Sequence, residues 1–247
     1  MKVVADTSDT KKLFQVLDKY ISDGFLQFKE HGLEIRVCTP DTVALLDVEV
    51  KADWFNEYEV ETARKIGINM ASLYSVFRKL DKSEEVTFDV DEASQKFQVK
   101  QDGDTLQLPI LDLDEEDLEN IPDPTKIELG TSFELVCGQF RDKTGKVVFM
   151  DEPLEFQASE KGLRILADGN RHSGEVNLDV ENFEGEEVTA MYASDYIGMV
   201  SDTMKKLYPR DADVRIRIDD ENPINLGYEE ENFQLDILIA PRIPEGV

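Results

Sequence analysis

The order of features in residues 1–110 recurs in residues 126–247 at an offset of about 130 positions. Gly32-Leu33-Glu34-Ile35 returns as Gly162-Leu163-Arg164-Ile165, and Leu46-Asp47-Val48 as Leu178-Asp179-Val180. A helical stretch at 70–80 matches 194–207, a strand-like run at 86–90 matches 214–218, and 106–110 matches 235–239. An offset that drifts by only a few residues over five landmarks marks a tandem duplication, because a fixed spacing means that each copy is the same folding unit. The seam is 111–125. It is acidic, carries Pro122 and Pro124, and shows no sustained apolar period, so it reads as an extended surface connector without a core of its own.

Inside each copy the apolar pattern switches between a period near 2 and one near 3.6, which predicts an α+β fold of two similar domains, each with two helices on antiparallel sheets. In the first, a strand at 2–5 leads through the cap candidates Thr7-Ser8-Asp9 into a helix burying Leu13, Phe14, Val16, Leu17 and Tyr20. His31-Gly32 and Asp102-Gly103 supply hairpin turns, a further strand spans 43–50, and Asn69 caps the helix at 70–80. In the second, the pattern predicts a strand at 126–129 and a helix from Ser132 onward. Strands follow at 154–158, 163–167, 175–180 and 188–192, then a helix at 194–207 stopped by Tyr208-Pro209, then strands at 214–218, 224–227 and 233–239. Gly145 interrupts the pattern over 138–151, which reads as a broken or extended helix.

With 54 Asp and Glu against 27 Lys and Arg, the chain carries a net charge of −27. That balance works against nonspecific adhesion to nucleic acid or anionic membrane, so contact with a polyanion needs a local concentration of cations. Twelve of the basic residues lie in or just beyond the four predicted helices: Lys11, Lys12, Lys19, Arg78, Lys79, Lys82, Arg141, Lys143, Lys146, Lys205, Lys206 and Arg210. Cations suit C-terminal helical turns and every helix has a solvated face, which accounts for such a pattern without any ligand. The alternative is that all four helices share one surface that meets a polyanion, held weakly and without sequence preference.

The residues point away from catalysis, metals and cofactors. His31 and His172 sit beside turns with no second ligand at metal spacing. The run from Asp112 to Asp117 lacks the sixth-position glycine of a calcium loop, and there is no Walker lysine loop, dinucleotide fingerprint or Gly-x-Ser-x-Gly elbow. Cys38 and Cys137 read as lone buried thiols, and Trp54, Phe55 and Phe77 as core. No apolar run has the length of a membrane span and no secretory signal is evident, so a cytoplasmic location is expected.

The ending Leu238-Ile239-Ala240-Pro241-Arg242-Ile243 resembles the Leu-Ala-Pro-Lys/Arg-Ile ending of archaeal and eukaryotic sliding clamps, the PCNA family. Leu111-Asp112-Leu113-Asp114 through Ile121-Pro122 resembles that family's interdomain connecting loop, and Leu33 to Leu46 its first strand pair. The likeness extends over essentially the whole chain. It implies a homotrimeric ring around double-stranded DNA, with the twelve cations above facing the hole. It further implies a DNA polymerase processivity factor that tethers polymerase, clamp loader, flap endonuclease and DNA ligase, nucleoid-associated in an archaeal-type cell. Partners of such clamps insert a short helix with aromatic plugs into a pocket, matched here by Cys38, Leu118, Ile121, Pro122, Pro223, Leu238, Ala240, Pro241 and Arg242. Ring closure in the family pairs edge strands, which implies contacts through Thr105, Gln107, Pro109 and Leu111 of one copy and His172, Gly174, Val176 and Leu178 of the next.

Two positions depart from the family pattern. Cys38-Thr39-Pro40-Asp41 stands where Met-Asp-Pro/Ser is usual, which shifts an acidic position used toward partners, and Leu238 replaces a common aromatic. An acidic adaptor that binds peptides without encircling DNA is the alternative reading, and a carboxylate-dependent metal nuclease a weaker third.

Overall fold

The computed structural model describes residues 1–114, 121–150, 153–169 and 172–242. The chain forms two compact units: Met1–Pro40, Leu45–Pro122 and Glu229–Leu235 make the first, and Asp41–Ala44, Asp123–Tyr228 and Asp236–Val247 the second.

In the first half, β1 (Lys2–Asp6) runs into α1 (Thr7–Tyr20), followed by β2 (Asp23–Lys29), β3 (Gly32–Cys38), β4 (Ala44–Lys51), β5 (Glu57–Glu59) and β6 (Arg64–Asn69). Then come α2 (Met70–Phe77), β7 (Glu85–Asp91), β8 (Lys96–Gln101) and β9 (Asp104–Pro109). One sheet has the order β5-β1-β7-β8-β9. A second set pairs as β4-β3-β2-β6, all antiparallel.

The second half carries β10 (Thr131–Val136), α3 (Cys137–Thr144), β11 (Leu154–Ser159), β12 (Gly162–Asp168), β13 (Ser173–Leu178), β14 (Glu181–Glu184) and β15 (Val188–Tyr192). It closes with α4 (Ser194–Leu207), β16 (Asp213–Ile218), β17 (Ile224–Glu230) and β18 (Phe233–Ile239). Its strand orders are β14-β10-β16-β17-β18 and β13-β12-β11-β15, which reproduce those of the first half strand for strand. Each half also ends in the same way. Leu111 N donates to Gly67 O on β6 at 2.8 Å, and Arg242 N to Met191 O on β15 at 2.7 Å. The duplication legible in the sequence is thus a duplication of topology.

Local chemistry explains the elements. Asp6 caps α1 by accepting from Asp9 N, and Asn69 caps α2 by accepting from Ser72 N. The Asp102-Gly103 turn has positive φ at both residues, 48° and 84°, the geometry of a tight primed hairpin. Phe14, Phe28, Phe77, Phe88 and Phe97 form a connected aromatic core, none more than 1% exposed, with Phe14 edge-on to Phe77 at 5.0 Å between centroids. Truncating one such ring to alanine costs about 3–5 kcal/mol.

Several sequence expectations need correction. Residues 126–129 are not a strand: a 3-10 turn spans Pro124–Lys126, and the strand is Thr131–Val136, where the helix was expected from Ser132. Thr131, Phe133 and Leu135 are buried and alternate with the less buried Ser132, Glu134 and Val136, so the period-2 pattern wins over the cap signal of Ser132. The helix begins only at Cys137, behind an N-cap Val136 that makes no side-chain bond. The helix at 70–80 stops at Phe77, where Arg78 caps it. Of the 138–151 region, Asp151 lies outside the described residues, and 138–150 resolve into α3 and a 3-10 turn at Val148–Met150. Neither cysteine is in a disulfide among the described residues; Cys137 is buried but Cys38 only half-buried.

Candidate functional site

In the first unit the helical cations converge. Lys11 is half-exposed on α1, and its ammonium is held below the ordinary lysine range, first by burial and then by Lys82 and Arg78 beside it. Three cations brought together in so acidic a chain repel one another, and a bound polyanion relieves that repulsion. Arg78, Lys79 and Lys82 are exposed and have no carboxylate partner among the described residues. Lys12 pairs with Asp9 at 2.7 Å, and Lys19 is exposed near the end of α1 with a partner of its own.

The second unit builds its own group. Gly138 N donates to Arg210 O at 2.7 Å, and a Cβ at Gly138 would lie 2.7 Å from Arg210 Cγ. That close approach sets the Arg210 guanidinium on Asp142 and near the start of α3. Burial pushes the Cys137 thiol up, while its hydrogen bond to Arg141 and the charges of Arg141 and Arg210 oppose the rise. The α3–α4 pair is tied by Thr144 Oγ1 and Ser201 Oγ at 2.8 Å. Lys143 on α3, Lys146 just beyond it, and Lys205 and Lys206 in the last turn of α4 have no ion pair among the described residues.

Of the residues expected to line a peptide pocket, Cys38, Ile121 and Pro122 belong to the first unit, and Pro223, Leu238, Ala240, Pro241 and Arg242 to the second; Leu118 lies outside the described residues. Leu238 is buried, Ile121, Pro223, Ala240 and Pro241 are half-exposed, and Pro122 and Arg242 are exposed. Within the second unit a chain of bonds fixes the wall around Ala240. Tyr196 Oη, in the first turn of α4, donates to the Asp41 carboxylate, whose other oxygen accepts from Val43 N at 3.4 Å. Val43 O then accepts from Ala240 N at 2.8 Å. Thr42 between them has φ 60°, a left-handed setting that costs a β-branched residue about 1–3 kcal/mol and persists only where neighbours enforce it.

Sequence reasoning missed this tie, since Asp41 and Tyr196 are 155 positions apart and carry no local signal. It answers the departure at Thr39-Pro40-Asp41: the displaced acidic residue is engaged within the chain by Tyr196 and Val43. Removing the hydroxyl in Tyr196→Phe is expected to weaken binding of a groove peptide about three- to tenfold with little change in melting temperature. Calorimetry that finds wild-type affinity would contradict this positioning role.

The expected subunit contacts fall on two sheet edges. Strand β9 ends one sheet and β13 another, and each has one paired neighbour among the described residues. On β9, Thr105, Gln107 and Pro109 are exposed, while Leu111 just past it is half-buried. On the other side His172 is exposed and Gly174 half-buried, whereas Val176 and Leu178 turn into their own core at 7% and 2% exposure. A contact along β13 therefore runs through backbone groups and the outward Glu175 and Asn177.

Among the described residues, no group of three or more His, Cys, Asp or Glu is placed to hold a metal ion, and no helix is long and apolar enough to cross a membrane.

Residues 3–117 match the family model for the proliferating cell nuclear antigen, N-terminal domain. The DNA polymerase sliding clamp 2 of Sulfolobus acidocaldarius is 27% identical over 251 residues, covering 98% of this chain and 99% of that protein. Among solved structures, A. fulgidus PCNA bound to the C-terminal region of FEN-1 superposes with a TM-score of 0.86 at 20% identity, covering 99% of both chains. The PCNA2–PCNA3 complex of Sulfolobus tokodaii superposes with a TM-score of 0.84 at 25% identity, covering 98% of this chain and 99% of that one.

Proposed function

We propose that this chain, which belongs to the proliferating cell nuclear antigen family of DNA sliding clamps, closes with two further copies into a ring around duplex DNA. There it tethers polymerase, flap endonuclease, ligase and clamp loader, serves as polymerase processivity factor and performs no chemistry of its own. The observation that carries the reading is the duplicated fold with an edge strand at β9 in one half and at β13 in the other. Two different edges on one chain make a head-to-tail contact, and such contacts close into a ring when the rotation permits. A six-residue antiparallel pairing adds roughly six backbone hydrogen bonds, each contributing about 1 kcal/mol net.

The cation groups supply the second half of the mechanism. Few positive side chains on a strongly acidic body hold phosphates loosely, so affinity comes from topology and the DNA remains free to slide. Peptide partners dock where Ala240 and Pro241 present a stiff, half-exposed apolar ridge.

Loading onto nicked circular DNA tests this directly. The protein should remain on the circle through gel filtration at moderate salt and leave once the circle is cut by a restriction enzyme. Equal dissociation from circular and linear DNA would refute the ring.

A further inference from the structure

Strand β17 alternates the buried Ile224, Leu226 and Tyr228 with Asn225 and Gly227 on the opposite face, yet Asn225 is only 1% exposed. A carboxamide shut away from water needs partners at both ends, and Asn225 has them. Its Oδ1 accepts from Arg217 Nε on β16 at 3.1 Å, and its Nδ2 donates to Asp236 Oδ1 on β18 at 3.0 Å. Arg217 also donates from Nη2 to Pro124 O at 3.4 Å. The row thus runs from a carboxylate through an amide to a guanidinium fork, and ends on the backbone where the connector enters the second unit.

The matched row of the first half is built differently. Asp89, Gln98 and Gln107 stand in register on β7, β8 and β9, as Arg217 and Asn225 do on β16 and β17. There Asp89 turns to Lys100 at 2.7 Å, Gln98 is half-buried and Gln107 is exposed. In the second half Asn225 and Asp236 are buried, and so is Pro124, in a 3-10 turn capped by Asp123. Stability does not require that polarity, since exchanging buried ion pairs for apolar residues of similar size is often neutral or stabilising. Holding a carbonyl in place does require it.

We propose that Asn225 is a positioning residue for peptide binding: it locks the Arg217 fork onto Pro124 and so fixes the entry of the connector beside the peptide-binding wall. That wall adjoins the row. Leu238 follows Asp236 by two positions on β18 and shares its face, both of them buried, and Pro223 precedes Asn225 by two. Buried as it is, Asn225 acts through Arg217 and Asp236. The inference rests on the peptide-binding part of the proposed function and adds the network that orients it.

Calorimetry with a peptide from the C-terminal region of a flap endonuclease, together with amide hydrogen exchange at Lys126 and Ile127, tests it. Both amides close the turn, onto Asp123 O and Pro124 O. Asn225→Leu should weaken binding about tenfold, as expected for losing one charge-assisted hydrogen bond, and speed exchange at both amides by about the same factor. Asn225→Asp combined with Asp236→Asn returns an acceptor to Arg217 and a donor to that acceptor, so both readouts should recover to within about threefold of wild type. Where Asn225→Leu fails to fold, Arg217→Lys at its half-buried position decides. A lysine ammonium lacks the fork that reaches both Asn225 and Pro124, so affinity should still fall about threefold or more. Wild-type affinity and exchange in Asn225→Leu or Arg217→Lys, or a double variant no better than Asn225→Leu, would overturn the positioning role and leave the peptide reading standing. A wild-type chain that does not bind the peptide would overturn both.

Discussion

With Lys11, Lys79, Lys143 and Lys206 all replaced by alanine, the assembly should keep its mass while its hold on DNA falls at least tenfold at physiological salt. None of the four has a carboxylate partner among the described residues, so their removal breaks no ion pair there and leaves no buried charge unpaired. Replacing Lys11 also relieves the repulsion it suffers from Arg78 and Lys82. Removing each cation that neutralises a phosphate should lower the slope of log affinity against log salt by about 0.9. The measurement is polymerase processivity on a primed circle, together with retention at three salt concentrations. Wild-type processivity with an unchanged salt slope would show that these cations do not meet DNA.

The second large effect concerns peptide binding. Ala240→Glu combined with Pro241→Glu should reduce affinity for a peptide from the C-terminal region of a flap endonuclease at least 100-fold, or about 3 kcal/mol. Both side chains are half-exposed, so the free protein tolerates the carboxylates, whereas the complex must bury them without counter-ions. Calorimetry measures the affinity, and the melting temperature should move by no more than a few degrees. Normal affinity in the double variant would remove these residues from the binding surface.

How much of this was legible in the sequence depended on the range of the signal. The hairpin at Asp102-Gly103 and the helix facing Phe14 and Leu17 carry their cause within a few residues, and the structure places both as the pattern predicts. The duplication was visible because two copies repeat each other's landmarks, and their strand orders coincide. The start of α3 was not, since Val136 provides no cap and Ser132 offers a false one. The Tyr196–Asp41 tie joins residues 155 positions apart and depends on a left-handed Thr42 that no local pattern announces. On β13 the family resemblance implied subunit contacts through Val176 and Leu178, but strand alternation turns both inward and leaves Glu175 and Asn177 exposed.

The most direct test of the central claim is the mass of the wild-type assembly by light scattering at micromolar concentration. A closed ring requires three times the 28.1 kDa of one chain, independent of further dilution over the working range. A mass equal to a single chain, or one that grows without limit as concentration rises, would contradict it.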